Sequence, residues 1–233
     1  MPLEIEKIFN KYNLNDSEKE ELYKIIFPIF RHEEFQKRLG DSFKHHGDIT
    51  LGMHILEDTV LTYLLAKKIV RKNQNFRIDL ALKIAMLHDL YTYPWQNSGL
   101  KTKKFFNKHG FRHPLDATIN AISWYPELFQ DDYESEIIID GILHHMYPLP
   151  VKILDYNIEL LNDELLNNLD EKYKKMIIKS LSRHKMGGIS WSRSSSKEGK
   201  LVAKADKKAS IKQIKNFSSA KALITGKNKS LKK

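Results

Sequence analysis

Apolar residues recur at three- and four-residue steps through LEIEKIFNKY, EELYKIIFPIFRHEEFQKRL and DTVLTYLLAKKIVRK, the period of helices that bury one face. The same period runs through LALKIAMLHDLY, with Asp79 as its cap or in its first turn. Pro94 sets a limit to that helix, because the residue before a proline avoids the α region. Pro114 suits a first helical position and is expected to open LDATINAISWY, and Pro148 closes ESEIIIDGILHHMY. The run IIID is short and β-branched, but its surroundings place it in a helix. The pattern predicts an all-α fold with six or more core helices.

The period breaks at GGISWSRSSSKEGK (187–200), whose Gly, Ser and charge content predicts an irregular loop. It resumes at Leu201, Val202, Ala205, Ala209 and Ile211, as expected of one last packed helix. Beyond about Phe217 the composition predicts disorder. With 233 residues, 41% of them hydrophobic, the chain can bury one sizeable core. The expected division is N-terminal helices packing on the core (1–44), a main domain (45–216) and a basic tail (217–233).

Charge alters this picture at one end only. The net charge of +10 divides into +13 over residues 181–233, where 15 Lys and Arg face only Glu198 and Asp206, and −3 over residues 1–180. Such a segment can attract nucleic acid, anionic lipid or a phosphorylated molecule, although most Lys-rich tails are simply solvated. The acidic N-terminus has no apolar run of signal or membrane-spanning length, so a soluble protein without membrane insertion is expected. Cysteine is absent, which excludes disulfides, thiolate nucleophiles and thiolate metal sites and fits a cytoplasmic location. Any metal must therefore be held by imidazole and carboxylate.

Ten histidines are present, several beside apolar runs. His88-Asp89 ends an apolar helix, and adjacent helical residues diverge by about 100°, so both reach one metal only near a helix end. His54 precedes the helix EDTVLTYLLAKK, His113 precedes Pro114, and His144-His145 ends IIIDGILHH. Imidazole and carboxylate gathered at helix ends make a site suited to Fe, Mn, Zn, Ni or Co. A lone buried histidine is more often a hydrogen-bonded core residue, and four similar placements reverse those odds.

The order His54, LHD (87–89), HGFRHP (109–114), HHMYPLP (144–150) and AKADKKAS (203–210) resembles the HD-superfamily phosphohydrolases, closest to their bacterial soluble branch, over about residues 45–210. The resemblance implies an HD-domain helical bundle holding divalent metal ions, two in number as six ligands suggest, or one if Asp206 and His54 pair only with His88-Asp89. It implies metal ligands His54, His88, Asp89, His113, His145 and Asp206, with Asp89 the bridging, catalytic carboxylate and Asp206 the closing one. His145 rather than His144 aligns with the family's histidine before Met-aromatic-Pro-Leu, leaving His144 behind the ligands. Asp140 is the alternative to Asp206, because the Gly/Ser/Lys-rich stretch before Asp206 departs from the family pattern. His46-Gly47 matches the family's HG. Arg112, Trp95 and Lys207 are the expected substrate contacts, with Tyr93 and Trp95 on an aromatic loop able to stack on a base or sugar. The implied activity is hydrolysis of a phosphomonoester or phosphodiester of a small, nucleotide-like molecule. An HD-type di-iron oxygenase and a non-catalytic nucleotide-sensing module are the alternatives, the latter docking to nucleic acid through the basic tail.

Overall fold

The computed structural model describes residues 1–46, 48–72, 75–92, 109–152 and 169–215. Among them the chain forms nine α-helices: α1 (Leu3–Lys11), α2 (Asp16–Phe30), α3 (Glu33–Arg38), α4 (Leu51–Val70), α5 (Ile78–Leu87), α6 (His109–Trp124), α7 (Asp132–Leu143), α8 (Glu171–Ser182) and α9 (Lys197–Lys215). Five very short strands make two small antiparallel sheets. β1 (Lys44–His46) pairs with β2 (Ile49–Thr50). β5 (Ile189–Ser190) lies between β3 (Val151–Lys152) and β4 (Lys185–Met186). The all-α reading holds.

Side chains that satisfy orphan N–H groups set several helix starts. Asn15 Oδ1 accepts from Glu18 N at 3.0 Å while the Glu18 carboxylate accepts from Asn15 N at 3.1 Å, a reciprocal box that opens α2. Thr50 caps α4 through Met53 N at 3.4 Å, and Asp131 caps α7 through Glu134 N at 2.8 Å. The single apolar stretch at residues 21–39 becomes two helices because the chain turns at Arg31-His32, where His32 Nδ1 caps α3 through Glu34 N at 3.2 Å.

One apolar cluster runs through the molecule, joining Phe9, Ile26, Tyr63, Ile84, Ile122, Ile142, Leu181 and Val202 from α1, α2 and α4 to α9. Each such side chain contributes about 1.5–3 kcal/mol on full burial. Helix α4 lies at its centre, against α1, α3, α5 and α9. Twelve of its 20 residues are buried, so polar groups on it must find partners inside the protein. Three helices meet closely where α7 crosses α5 and α9. A Cβ on Gly141 would stand 2.6 Å from Ile84 Cδ1, and one on Gly199 would stand 2.8 Å from Gly141 Cα.

Three local expectations need correction. His54 sits inside α4, in its first turn, not before the helix. Pro114 is the sixth residue of α6, not its first, and its missing N–H costs only the bond to the Gly110 carbonyl near the helix start. The segment 187–200 is not a plain loop: Gly187, at φ 58°, lies between the paired strands β4 and β5, and α9 begins at Lys197. Serines of that segment are used as donors. Ser194 Oγ and Ser195 N and Oγ reach the Asp140 carboxylate at 2.8, 2.7 and 3.0 Å.

Candidate metal centre

Residues within or just beyond five helices, α4, α5, α6, α7 and α9, converge on Asp89. Helix α5 stops at Leu87, so His88 is its C-cap and Asp89 is already outside it, which frees the adjacent pair to turn toward one point. Buried Arg38 fixes the following chain by donating from Nε and Nη2 to the Tyr91 carbonyl at 3.2 and 2.8 Å, with its guanidinium 4.6 Å from the Trp124 ring centroid. Asp89 Oδ2 lies 3.5 Å from His54 Nε2 and 3.7 Å from His88 Nε2. Its other oxygen, Oδ1, lies 3.1 Å from His113 Nε2 and 3.5 Å from His145 Nε2. The carboxylate thus faces two groups of imidazoles, one with each oxygen. Asp206, carried in by α9, closes the first group with Oδ1 at 3.4 Å from His54 Nε2. All six residues are buried.

The second nitrogen of each imidazole is occupied. His88 Nδ1 meets the Ala85 carbonyl at 2.7 Å, His113 Nδ1 the His109 carbonyl at 3.0 Å, and His145 Nδ1 the Ile142 carbonyl at 2.7 Å. His54 Nδ1 meets Gln213 Oε1 at 3.0 Å. A carbonyl only accepts, so each of these Nδ1 atoms carries a proton, and in the neutral ring Nε2 turns its lone pair inward. His113 Nε2 and His145 Nε2 stand 3.0 Å apart, and with both rings neutral they are two acceptors facing one another. His88 Nε2 is buried with no hydrogen-bond partner among the described residues. Buried lone pairs so arranged fit a cation, and the donor set of imidazole nitrogen and carboxylate oxygen suits Fe, Mn, Co, Ni or Zn.

The electrostatics have the same sense. Burial opposes ionisation of Asp89, but His88, His113 and His145 outweigh it and hold the carboxyl well below its usual range. Asp206 is likewise held low against its burial by His54 and His88. Burial pushes His88 down to about 4, which keeps it neutral and able to donate electrons. His54 and His145 are different: burial lowers both, yet Asp206 and Asp89 raise His54 to about 9 and Asp89 raises His145.

Of the remaining expected residues, Lys207 lines a cavity of about 320 Å³ that opens onto Asp89, His113 and Asp206, and its Nζ donates to the Tyr147 carbonyl. Met146, Pro148 and Leu149 give the same cavity an apolar wall. Arg112 is half-buried on α6 beside His113 and is not among the described residues lining that cavity. Tyr93, Trp95 and the tail 217–233 lie outside the described residues, as does Gly47. Asp140 takes no part in the centre: it faces Ser180, Arg183, Ser194 and Ser195 instead. His144 turns the same way, with Nε2 at 3.1 Å from Ser180 Oγ.

The sequence reading passed over three residues. His45 on β1 stacks on His54 with ring centroids 4.1 Å apart, and its Nε2 is 4.0 Å from Asp89 Oδ2. His109 stacks on His113 at 4.6 Å and lines the cavity, and burial and His113 push it down to about 3. Asp58 lies one turn after His54 on the same face of α4.

The order of ligand-type residues along the chain now has a geometry to match, and an HD domain model matches residues 55–211, about two thirds of the 233 residues. The chain belongs to the HD-domain family. Comparison with curated proteins and with solved structures gives no match. The matched range runs from α4 to α9, contains five of the six convergent residues and starts one residue after the sixth, His54. Among the described residues, no helix is long and apolar enough to cross a membrane.

Proposed function

We propose that the protein is a metal-dependent phosphohydrolase that cleaves a phosphomonoester or phosphodiester of a small, nucleotide-like molecule. In this reading His54, His88, Asp89 and Asp206 hold one divalent cation, and Asp89, His113 and His145 hold a second. The observation that carries it is the pair of inward lone pairs on His113 and His145, 3.0 Å apart, beside a carboxylate whose two oxygens face separate imidazole groups. Such an arrangement is unfavourable without a cation and favourable with one on each side of Asp89.

Bound divalent cations there supply charge for a phosphoryl group and a hydroxide from water at neutral pH. The protein's own residues do the rest. Asp89 keeps both halves of the centre in register. The carbonyls of Ala85, His109 and Ile142 fix the imidazole rings, so the donor atoms need no rearrangement when substrate arrives. Lys207 at the cavity edge offsets the anionic charge of the substrate, and the wall of Met146, Pro148 and Leu149 takes its less polar part. A cavity of about 320 Å³ matches a mononucleotide-sized molecule better than a polymer.

The test is metal analysis of the purified protein together with a screen of nucleotides and phosphate esters under Mn2+, Co2+, Ni2+, Zn2+ and anaerobic Fe2+. The expected result is metal-dependent release of phosphate or a nucleotide, lost together with bound metal in His88→Ala and Asp89→Ala. Full turnover in either variant would refute it. Two irons with oxygen consumption and no phosphate release would replace it with the oxygenase reading.

A further inference from the structure

Helix α4 carries two buried carboxylates side by side, and the protein treats them differently. Glu57 is 3% exposed and well served: Lys11 Nζ stands at 2.8 Å, Tyr12 Oη at 2.6 Å and Gln213 Nε2 at 3.2 Å. Asp58 is fully buried, at 0% exposure, and neither of its oxygens has a hydrogen-bond partner among the described residues. Its ion-pair contact is His88 Nδ1, 3.9 Å from Oδ2, behind the ring whose Nε2 faces the centre. One turn on, Thr62 Oγ1 is buried and equally without a hydrogen-bond partner among the described residues. Leaving a carboxylate so placed is costly unless something offsets it, and replacing it with an apolar residue would ordinarily be favourable.

We propose that Asp58 is a positioning residue of the metal centre, a buried carboxyl group behind His88 that orients and polarises its ring toward a bound cation. With Asp89 and Asp206 it gives the cation-binding region three carboxyl groups among the imidazoles. It also stands where the Nδ1 proton of His88, now directed at the Ala85 carbonyl, meets a second acceptor as the ring becomes more polarised. A carboxylate behind a metal-binding imidazole raises the basicity of the ligand, and its loss typically lowers metal affinity 10–100-fold. The inference rests on the metal-centre reading above.

The test uses the full chain stripped of metal by a chelator and titrated separately with Mn2+ and Zn2+ by calorimetry, with the melting temperature of the metal-free form measured in parallel. Asp58→Asn keeps the shape and removes the charge. The expected result is an affinity at least tenfold weaker, together with a metal-free melting temperature equal to or above that of the unaltered protein. Asp58→Glu, which restores the charge, is expected to bind metal more tightly than Asp58→Asn. A purely structural Asp58, holding a buried water with Thr62, would give the opposite signature: a lower metal-free melting temperature and an affinity within twofold. Either of those results overturns the proposal, as does a Glu variant no tighter than Asn. If the unaltered protein binds neither cation, the reading of the centre fails; if it binds and Asp58→Asn binds equally well, only the role of Asp58 fails.

Discussion

Replacing Asp140 by alanine should be among the most destabilising single changes outside the metal centre. Its buried carboxylate accepts from Ser180 Oγ at 2.7 Å, Ser194 Oγ at 2.8 Å and Ser195 N and Oγ at 2.7 and 3.0 Å, and it pairs with Arg183. Alanine leaves that guanidinium and several buried donors without an acceptor. Removing one partner of a buried charged network costs about 3–5 kcal/mol, well above the net worth of any single bond in it. For a chain of this size that is a fall of about 6–20 °C in Tm. Urea denaturation followed by circular dichroism, with Tm by calorimetry, measures it. Asp140→Asn, which keeps one acceptor oxygen, should lie between the two. The pH dependence has a definite sign. Burial raises the Asp140 carboxyl, but Ser180, His144, Arg183 and Ser194 outweigh it and bring it below its ordinary value. Its stabilisation is therefore complete above the unfolded carboxylate range and is lost as pH falls through the depressed folded value. The gap between the unaltered protein and Asp140→Asn should narrow on acidification. A loss under 1 kcal/mol with an unchanged m-value, or a gap that widens in acid, would refute the reasoning.

Gly199→Ala places a methyl group against the backbone of Gly141, 2.8 Å from its Cα, and overpacking of that kind costs about 1–3 kcal/mol, read as a lower urea midpoint at constant m. Removing metal with a chelator should lower Tm, and restoring it at a hundredfold excess over Kd should recover about 2.7 kcal/mol of stability in a concentration-dependent way. Lys207→Ala should raise KM for an anionic substrate more than it changes kcat, because the side chain lies at the cavity edge rather than among the groups around Asp89; a kcat loss alone would contradict that placement. Ile84→Ala, deep between α5 and α7, should cost about 2–5 kcal/mol without altering metal stoichiometry.

Much of the site was readable because its residues are rare in the setting where they occur. A histidine or aspartate at the end of an apolar run, as at His88-Asp89 and His144-His145, stands out against the helical period. His54 and His113 were legible as candidate ligands although their places in α4 and α6 were misjudged: Pro114 looked like a helix start, and Thr50 rather than a residue after His54 is the α4 cap. Asp206 was hidden among lysines, and only the path of α9 distinguishes it from Asp140. Asp58 and His45 could not be picked out by type, because an acidic residue in EDTVLTYLL reads as solvent-facing until α9 and α1 are seen to cover that helix. The serines of 192–196 looked like loop chemistry for the same reason. The acceptor of Ser194 and Ser195, Asp140, lies more than fifty residues away in sequence.

Asp206 also bears on biosynthesis. Helices α4 to α7 can bring His54, His88, Asp89, His113 and His145 together as soon as each has left the ribosome, but the first group of imidazoles stays open on one side until α9 has folded across α4. During synthesis the protein must therefore carry an incomplete, cation-attracting cluster for the time needed to make some sixty further residues after His145. In the proposed centre tight capture of a cation waits on α9, so a truncated chain ending before residue 206 is expected to sequester metal poorly even where the rest of the bundle has formed.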